Sequence, residues 1–408
     1  MDSDRFEATP VKGIRATRQA RRQLRQPSRL PGSAAGVDEH AIRGCLAQAE
    51  QLIRQQCPAA ALALLQAGGL PPAAWPRSWR PRWSALVGWA LIEHHQPEAA
   101  SGVLQQGLEL FDELQSMPEG DERVPQELGE WLRYFLGVSY CRSDQPVQAL
   151  HCHSQGLAAI VAGAIRDPEL TMLHYQGLGQ AYLALGDEAK AIACLTLARQ
   201  RGQDVYDPYA EGVIDWSLGQ AYTQQGDLLQ ARRALIQALR RFNQLDAQPL
   251  VAQVRALLGQ VLLGQQHLAE AEAMLRQALG AAERLGDSQT RGVALERLAR
   301  VYLACGKPVS AIRMVQTGLS RLQETQGQPT SGQLYLTLAE VYEVQHNHSA
   351  AEKALKTALR LLQQTHQEGL IFRAHERYGQ FLAGQGRFAE AYVQMQDALL
   401  HKARWNDL

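Results

Sequence analysis

The sequence predicts an all-α fold, a right-handed solenoid (superhelix) of about nine antiparallel helix pairs. Three observations predict it. A small residue recurs every 40 positions, the residues around it keep helical spacing, and the composition suits helices. The small residue is Gly179, Gly219, Gly259, Ala299, Ala339 and Gly379. Three positions on stand Tyr182, Tyr222, Leu262, Tyr302, Tyr342 and Leu382, and twelve on stands Ala191, Ala231, Ala271, Ala311, Ala351 or Ala391. Sixteen on come Leu195, Leu235, Leu275, Val315, Leu355 and Met395. Ala, Leu and Gln dominate, all compatible with helices, whereas Asn occurs only at 243, 347 and 406. A chain of 408 residues would ordinarily divide into two or three compact domains. A solenoid escapes that expectation because each repeat packs only on its neighbours.

Taken in order, residues 1–36 carry eight Lys/Arg and three acids, a net of +5, and the remainder carries −5. This polar tail, bounded by Pro27, Pro31 and Gly32, is expected to be disordered, because it cannot bury enough apolar surface to order itself. Residues 37–67 form an N-terminal capping helix pair ending in Ala60, Leu64 and Ala67, as a solenoid needs atypical ends. Residues 68–82 are a linker rich in Pro, Trp and Arg. Residues 83–408 are the repeats. Two less regular units, built on Gly88 with Leu91 and Ala100 and on Gly137 with Tyr140 and Ala149, precede the regular ones.

With the small residue counted as position 8, Leu178, Gly179 and Tyr182 share a face of a first helix, and Ala191, Leu195 and Ala198 share a face of a second. Small residues let the two helices approach, and large ones fill the space beside them. Gly186-Asp187, Gly226-Asp227, Gly306-Lys307 and Gly386-Arg387 mark the turns between them. There Gly suits the left-handed residue that ends a helix and Asp caps the next. Asp167-Pro168 and Asp207-Pro208 begin first helices with a cap and a proline in the first turn.

This pattern of small and large positions resembles the tetratricopeptide repeat (TPR) family over roughly residues 83–408. The usual TPR unit has about 34 residues; a unit of 40 resembles the arrays of bacterial regulators and of adaptors of the kinesin-light-chain and polarity-adaptor kind. Gly163-Ala-Ile-Arg-Asp-Pro168, followed by such units, is similar to the sensor arrays of bacterial helix-turn-helix regulators, and Ile14 to Arg21 resembles the opening helix of their DNA-binding domain. Residues 26–37 offer no second or recognition helix.

The resemblance implies binding of a protein or peptide in a groove lined by first helices, at positions 2, 5, 9, 12 and 13. Projection gives Arg82, Trp89, Trp131, Tyr134, Arg142, Gln176, Gln180, Trp216, Gln220, Gln260 and Arg300. Trp, Tyr and Arg are the commonest anchors of binding. One reading is an N-terminal aromatic and arginine pocket with a polar, acidic floor further along; the other makes the tryptophans packing plugs beneath neighbouring helices. Trp216, one position off the usual buried aromatic, is expected to face the groove. Gln180, Gln220, Gln260 and Gln380 recur at one position and could form an amide ladder for a peptide backbone. The alternative function is a transcription-associated regulator in which Arg15, Arg18, Arg22 and Arg25, one stripe of a helix, meet nucleic-acid phosphates. The tail could equally dock on the acidic body or stay solvated.

No enzyme is expected. The sequence has no P-loop, dinucleotide fingerprint, HExxH or nucleophile elbow. His151 and His153 stand two apart on a second helix and point roughly 200° from each other, so they cannot share a metal ion; His94-His95 and His346/His348 fall in turns. No cofactor or metal is implied. No apolar run reaches the ~20 residues of a membrane span. Six cysteines without a CxxC pair fit reduced thiols in the cytoplasm. The last helix, from Phe388, leaves apolar residues without a following repeat, and self-association through it is a further expectation.

Overall fold

The structure, a computed structural model, describes residues 39–407 apart from 56, 68–74, 118–123, 164, 323–328 and 366. The basic tail, with Arg15, Arg18, Arg22 and Arg25, lies outside the described residues, as does the front of the linker. Among the described residues there are eighteen α-helices and no strand. They fall into two compact units that part between Ala221 and Tyr222.

The N-terminal unit holds α1 (Glu39–Arg54), α2 (Pro58–Ala67), α3 (Arg80–Glu93), α4 (Pro97–Ser116), α5 (Gln126–Arg142), α6 (Pro146–Val161), α7 (Pro168–Ala184), α8 (Glu188–Gly202) and most of α9 (Pro208–Gln225). The C-terminal unit holds α10 (Leu228–Gln244), α11 (Gln248–Gly264), α12 (Leu268–Leu285), α13 (Ser288–Ala304), α14 (Pro308–Leu322), α15 (Pro329–Val344), α16 (His348–Gln363), α17 (Glu368–Gly384) and α18 (Phe388–Asp407). Odd-numbered helices are the first of each pair and even-numbered ones the second. Consecutive helices pack together from α1 to α8 and from α10 to α18, and first helices also touch first helices: α3 on α5, α5 on α7, α11 on α13, α13 on α15.

The caps follow the sequence. Asp167 Oδ1 accepts from the amides of Glu169 and Leu170 at 2.9 and 3.3 Å, ahead of Pro168. Asp207 does the same for α9, and Asp187, Asp227, Asp287 and Asn347 each accept one amide of the first turn they precede. Each such cap contributes on the order of 1 kcal/mol.

From α3/α4 to α17/α18 the turn inside the pair has a left-handed residue at one constant step, and it is not always glycine. Gly186, Gly226, Gly306 and Gly386 have φ between 68 and 90°. At the same step of the repeat stand Gln266 (62°) and His346 (58°), and in the irregular units His95 (58°) and Asp144 (57°). His95 and His346 are therefore turn residues, as expected. The helix ladder continuing on either side holds these non-glycine residues in a conformation that costs roughly 1–2 kcal/mol.

Position 8 does what its size suggests. A Cβ on Gly179 would lie 2.4 Å from Leu195 Cγ, and one on Gly259 would lie 2.5 Å from Leu275 Cγ. Both leucines are fully buried, with Ala191, Ala198, Ala271 and Ala278 around them. The linker expectation needs amendment at its end: a 3₁₀ turn, Arg77–Trp79, leads directly into α3 at Arg80, three residues before the repeats were expected to begin. Trp75 and Trp79 are buried, and the guanidinium carbons of Arg43 and Arg82 lie 5.4 and 5.3 Å from the Trp79 ring centre. These cation–aromatic contacts tie α1 to α3.

Candidate ligand-binding face

The N-terminal unit does not expose the aromatic pocket. Trp89, Trp131 and Tyr134 are 1, 2 and 2% exposed. Trp89 stacks on Phe135 at 5.7 Å and 15°, Trp131 tilts against Phe135 at 5.8 Å, and Tyr134 meets Trp131 edge-on at 5.9 Å. The three form a core between α3, α5 and their neighbours, because the first helices here face one another through large side chains. Arg82 is buried against Trp79. The groove expectation for Arg82, Trp89, Trp131 and Tyr134 is thus corrected, and the packing-plug alternative describes them. Arg142 is exposed but occupied: Nη1 donates to the Ile92 carbonyl at 2.8 Å, and Glu93 lies 3.8 Å away. Gln176, Gln180, Trp216 and Gln220 are half-buried on α7 and α9.

Behind this face lies a feature that the sequence did not announce. His153 on α6 and His174 on α7 are fully buried, with Nδ1 atoms 3.2 Å apart. Three glycines make room for them. A Cβ on Gly137 or Gly177 would fall 2.5 or 2.2 Å from His153, and one on Gly156 would fall 2.2 Å from His174. Burial pushes His153 down to about 3 and holds His174 well below its ordinary value. Both imidazoles are neutral core groups. His151 is exposed on the other side of α6, so the two α6 histidines do part as helix geometry requires. No group of three or more potential metal ligands occurs among the described residues.

In the C-terminal unit the first helices carry a chain of alternating charge. Arg300 on α13 pairs with Glu296 at 2.5 Å. Thr337 on α15, fully buried, donates to Glu296 at 2.9 Å and lies 3.4 Å from Arg300 Nε. Arg377 on α17 pairs with Glu343 at 2.8 Å and lies 3.9 Å from Glu340, both on α15. Burial raises the Glu340 carboxyl above its usual range, although Arg300 and Arg377 oppose it. On either side of this chain Gln260 and Gln380 stand exposed. Arg300, Glu340, Gln260 and Gln380 occupy one repeat position, so a polar group recurs there on α11, α13, α15 and α17.

Sequence comparison decides what the repeats are. Family models described as tetratricopeptide repeat match residues 175–198, 210–284 and 336–407. The repeats are tetratricopeptide repeats. Solved structures share the fold of consecutive helix pairs. A Rap protein complexed with competence and sporulation factor superposes with a TM-score of 0.68 at 14% identity, over 91% of this chain and 99% of that one. The quorum sensor NprR with its cognate peptide NprX gives 0.62 at 15%, over 90% and 98%. Aspartyl phosphate phosphatase F from Bacillus subtilis gives 0.56 at 10%, over 91% and 96%. At such identities the likeness is one of fold. No curated protein sequence matches the chain.

Sequence reasoning missed how Thr337 and Arg377 join Glu296, Arg300, Glu340 and Glu343 across neighbouring first helices, although the last four fall among the projected charged positions. The link between them is position 6, which meets the preceding first helix. The signal that could have found it is the recurrence Arg297, Thr337, Arg377 at one step of the repeat.

Proposed function

We propose that this TPR protein is a peptide- or protein-binding sensor or scaffold, that its first helices form the binding face, and that it works by binding without catalysing a reaction. The observation that carries this reading is the recurring polar position on α11, α13, α15 and α17: Gln260, Arg300, Glu340 and Gln380. Packed helix axes lie roughly 8–10 Å apart, and an extended chain advances about 3.3 Å per residue. About every third residue of an extended peptide therefore meets the next first helix. A glutamine amide there can accept from and donate to the peptide backbone at once. Gln180 and Gln220 hold the same position in the N-terminal unit. The peptide complexes among the structural neighbours support the reading by analogy.

The test is selection of binders from a random heptapeptide display library, followed by calorimetric titration into wild type and the Gln260→Ala variant. A lost amide contact contributes about 0.5–1.5 kcal/mol, so the variant is expected to bind roughly 2- to 13-fold more weakly. A selected peptide whose affinity ignores the substitution and whose binding survives blocking of every first helix would overturn the reading.

A further inference from the structure

Each second helix of the C-terminal unit turns one side to the core and the opposite side outward. In α10 the core side carries Ala231, Leu235, Ala238 and Phe242, all fully buried. Arg233 and Arg240 stand roughly 180° round the helix from them, and both are exposed. Lys353 and Arg360 hold the same two steps of the repeat on α16, Arg313 holds the first on α14, and Arg284 lies one turn past the second on α12. These four are exposed as well. Between the six cations stand neutral polar residues such as Gln237, Gln277, Thr317 and Thr357.

Acids are kept off this side. α10 and α14 contain no Asp or Glu. The acids of the neighbouring helices lie on the flanks, where Glu270 pairs with Arg232, Glu272 with Arg276, and Glu352 with Lys356 and Arg387. No acid pairs with any of the six outward cations among the described residues. Charge divides along the chain in the same sense: residues 222–408 carry 21 Lys/Arg and 16 Asp/Glu, whereas residues 37–221 carry 12 and 22. An ordinary solvated surface mixes both signs. A row of one sign, set at fixed steps of four helices, makes a field that draws in anions.

We infer that the outer side of α10, α12, α14 and α16 binds the phosphate backbone of a nucleic-acid duplex without reading its sequence. Five of the six cations are arginine, whose planar fork takes phosphate oxygens in bidentate fashion. A protein partner is usually anchored by aromatic or apolar side chains, and the row presents none. Single strands are held by stacking their bases on aromatic side chains, which these residues also lack. A duplex has its bases already stacked and can be held through phosphates alone. The surface is separate from the first-helix face, so this inference and the peptide-binding reading fail independently.

The experiment uses the full-length chain. Fluorescein-labelled DNA duplexes of about 30 base pairs, in two unrelated sequences, and the matching single strands are titrated from about 50 to 200 mM KCl, and binding is followed by anisotropy. Two outer variants, Arg233→Gln/Arg240→Gln and Lys353→Gln/Arg360→Gln, are compared with the flank variant Arg276→Gln/Lys356→Gln, which loses the same charge. A tail variant, Arg15→Gln/Arg18→Gln/Arg22→Gln/Arg25→Gln, separates the other basic stretch.

Both duplexes are expected to bind alike and more tightly than the single strands. With six phosphates engaged, affinity falls about a thousandfold over that salt range. Each outer variant lowers the slope of log affinity against log salt by about 1.8, in the tail-variant background as well, while the flank variant leaves it unchanged. Outer variants that keep the wild-type slope, an equal loss in the flank variant, or binding abolished by the tail variant alone would each overturn the inference. Preference for the single strands would overturn the choice of a duplex. Salt-sensitive self-association that is lost in the outer variants, with no duplex bound, assigns the row to the acidic residues of a second copy and overturns the inference too.

Discussion

Between His153 and His174 a single hydrogen bond fixes two tautomers at once: one Nδ1 must carry the proton and the other must accept it. Neither ring is charged in the native state, because burial pushes His153 down to about 3 and His174 well below its ordinary value. In the unfolded chain both return to about 6.5. Below that pH the unfolded chain binds protons that the folded core refuses, so stability falls as the pH falls from about 6.5 towards 3. The slope is at most about 1.4 kcal/mol per pH unit for each imidazole; above 6.5 the term vanishes. Urea unfolding from neutral pH to about pH 4.5 is expected to show a steeper loss for wild type than for His153→Gln/His174→Gln, and parallel curves would refute the assignment. The pair was illegible in the sequence because it joins residues 21 apart on two different helices. The glycines that frame it look like ordinary repeat glycines. Similarly, Trp89, Trp131 and Tyr134 were ambiguous, since helical phase alone cannot say whether a neighbouring helix comes close enough to cover them.

The unit of construction is the helix pair, and its tightest constraint is the contact between positions 8 and 24. Opposite Gly88, Gly179 and Gly259 a leucine fills the space a Cβ would need, as Leu275 does opposite Gly259. In the pair built on Ala299 the opposing residue is the smaller Val315, also fully buried. Gly259→Ala should therefore cost about 1–3 kcal/mol through overpacking. Combining it with Leu275→Val should cost less than the sum of the two single changes, by at least about 0.5 kcal/mol. Chemical denaturation of the four proteins measures this coupling, and strict additivity would argue against a direct contact. Caps, turns and the position-8 contact were all legible, because each is set by residues close in sequence. The left-handed turn residue was legible only where it is glycine. Gln266 and His346 adopt the same conformation because the flanking helices hold them there, a cause that local propensity does not contain.

Over the whole molecule, the sequence period crosses the boundary between the two compact units without a change, from Gly179 to Gly219 to Gly259. That division was therefore not readable beforehand. At the C-terminal end α18 leaves Phe388, Tyr392, Val393, Leu399 and Leu400 between 50 and 70% exposed. The residues at the matching steps of α16 to Val393 and Leu400 are Lys353 and Arg360, both exposed. Part of the apolar surface of α18 thus lies on a side that other pairs keep charged. Val393→Lys/Leu400→Arg is expected to change stability by no more than about 0.5 kcal/mol per site, as exposed positions do. It should clearly shorten retention on a hydrophobic-interaction column. Unchanged retention would mean that this side of α18 is covered in solution.

The constancy of the 40-residue step has a genetic consequence. Because every regular unit begins and ends at the same point of the same turn, unequal recombination between two units of the coding sequence removes or adds a whole number of codons and one complete helix pair. Reading frame, caps and the position-8 contact all survive such an event. Lineages can thus lengthen or shorten the surface offered by the first helices in single steps.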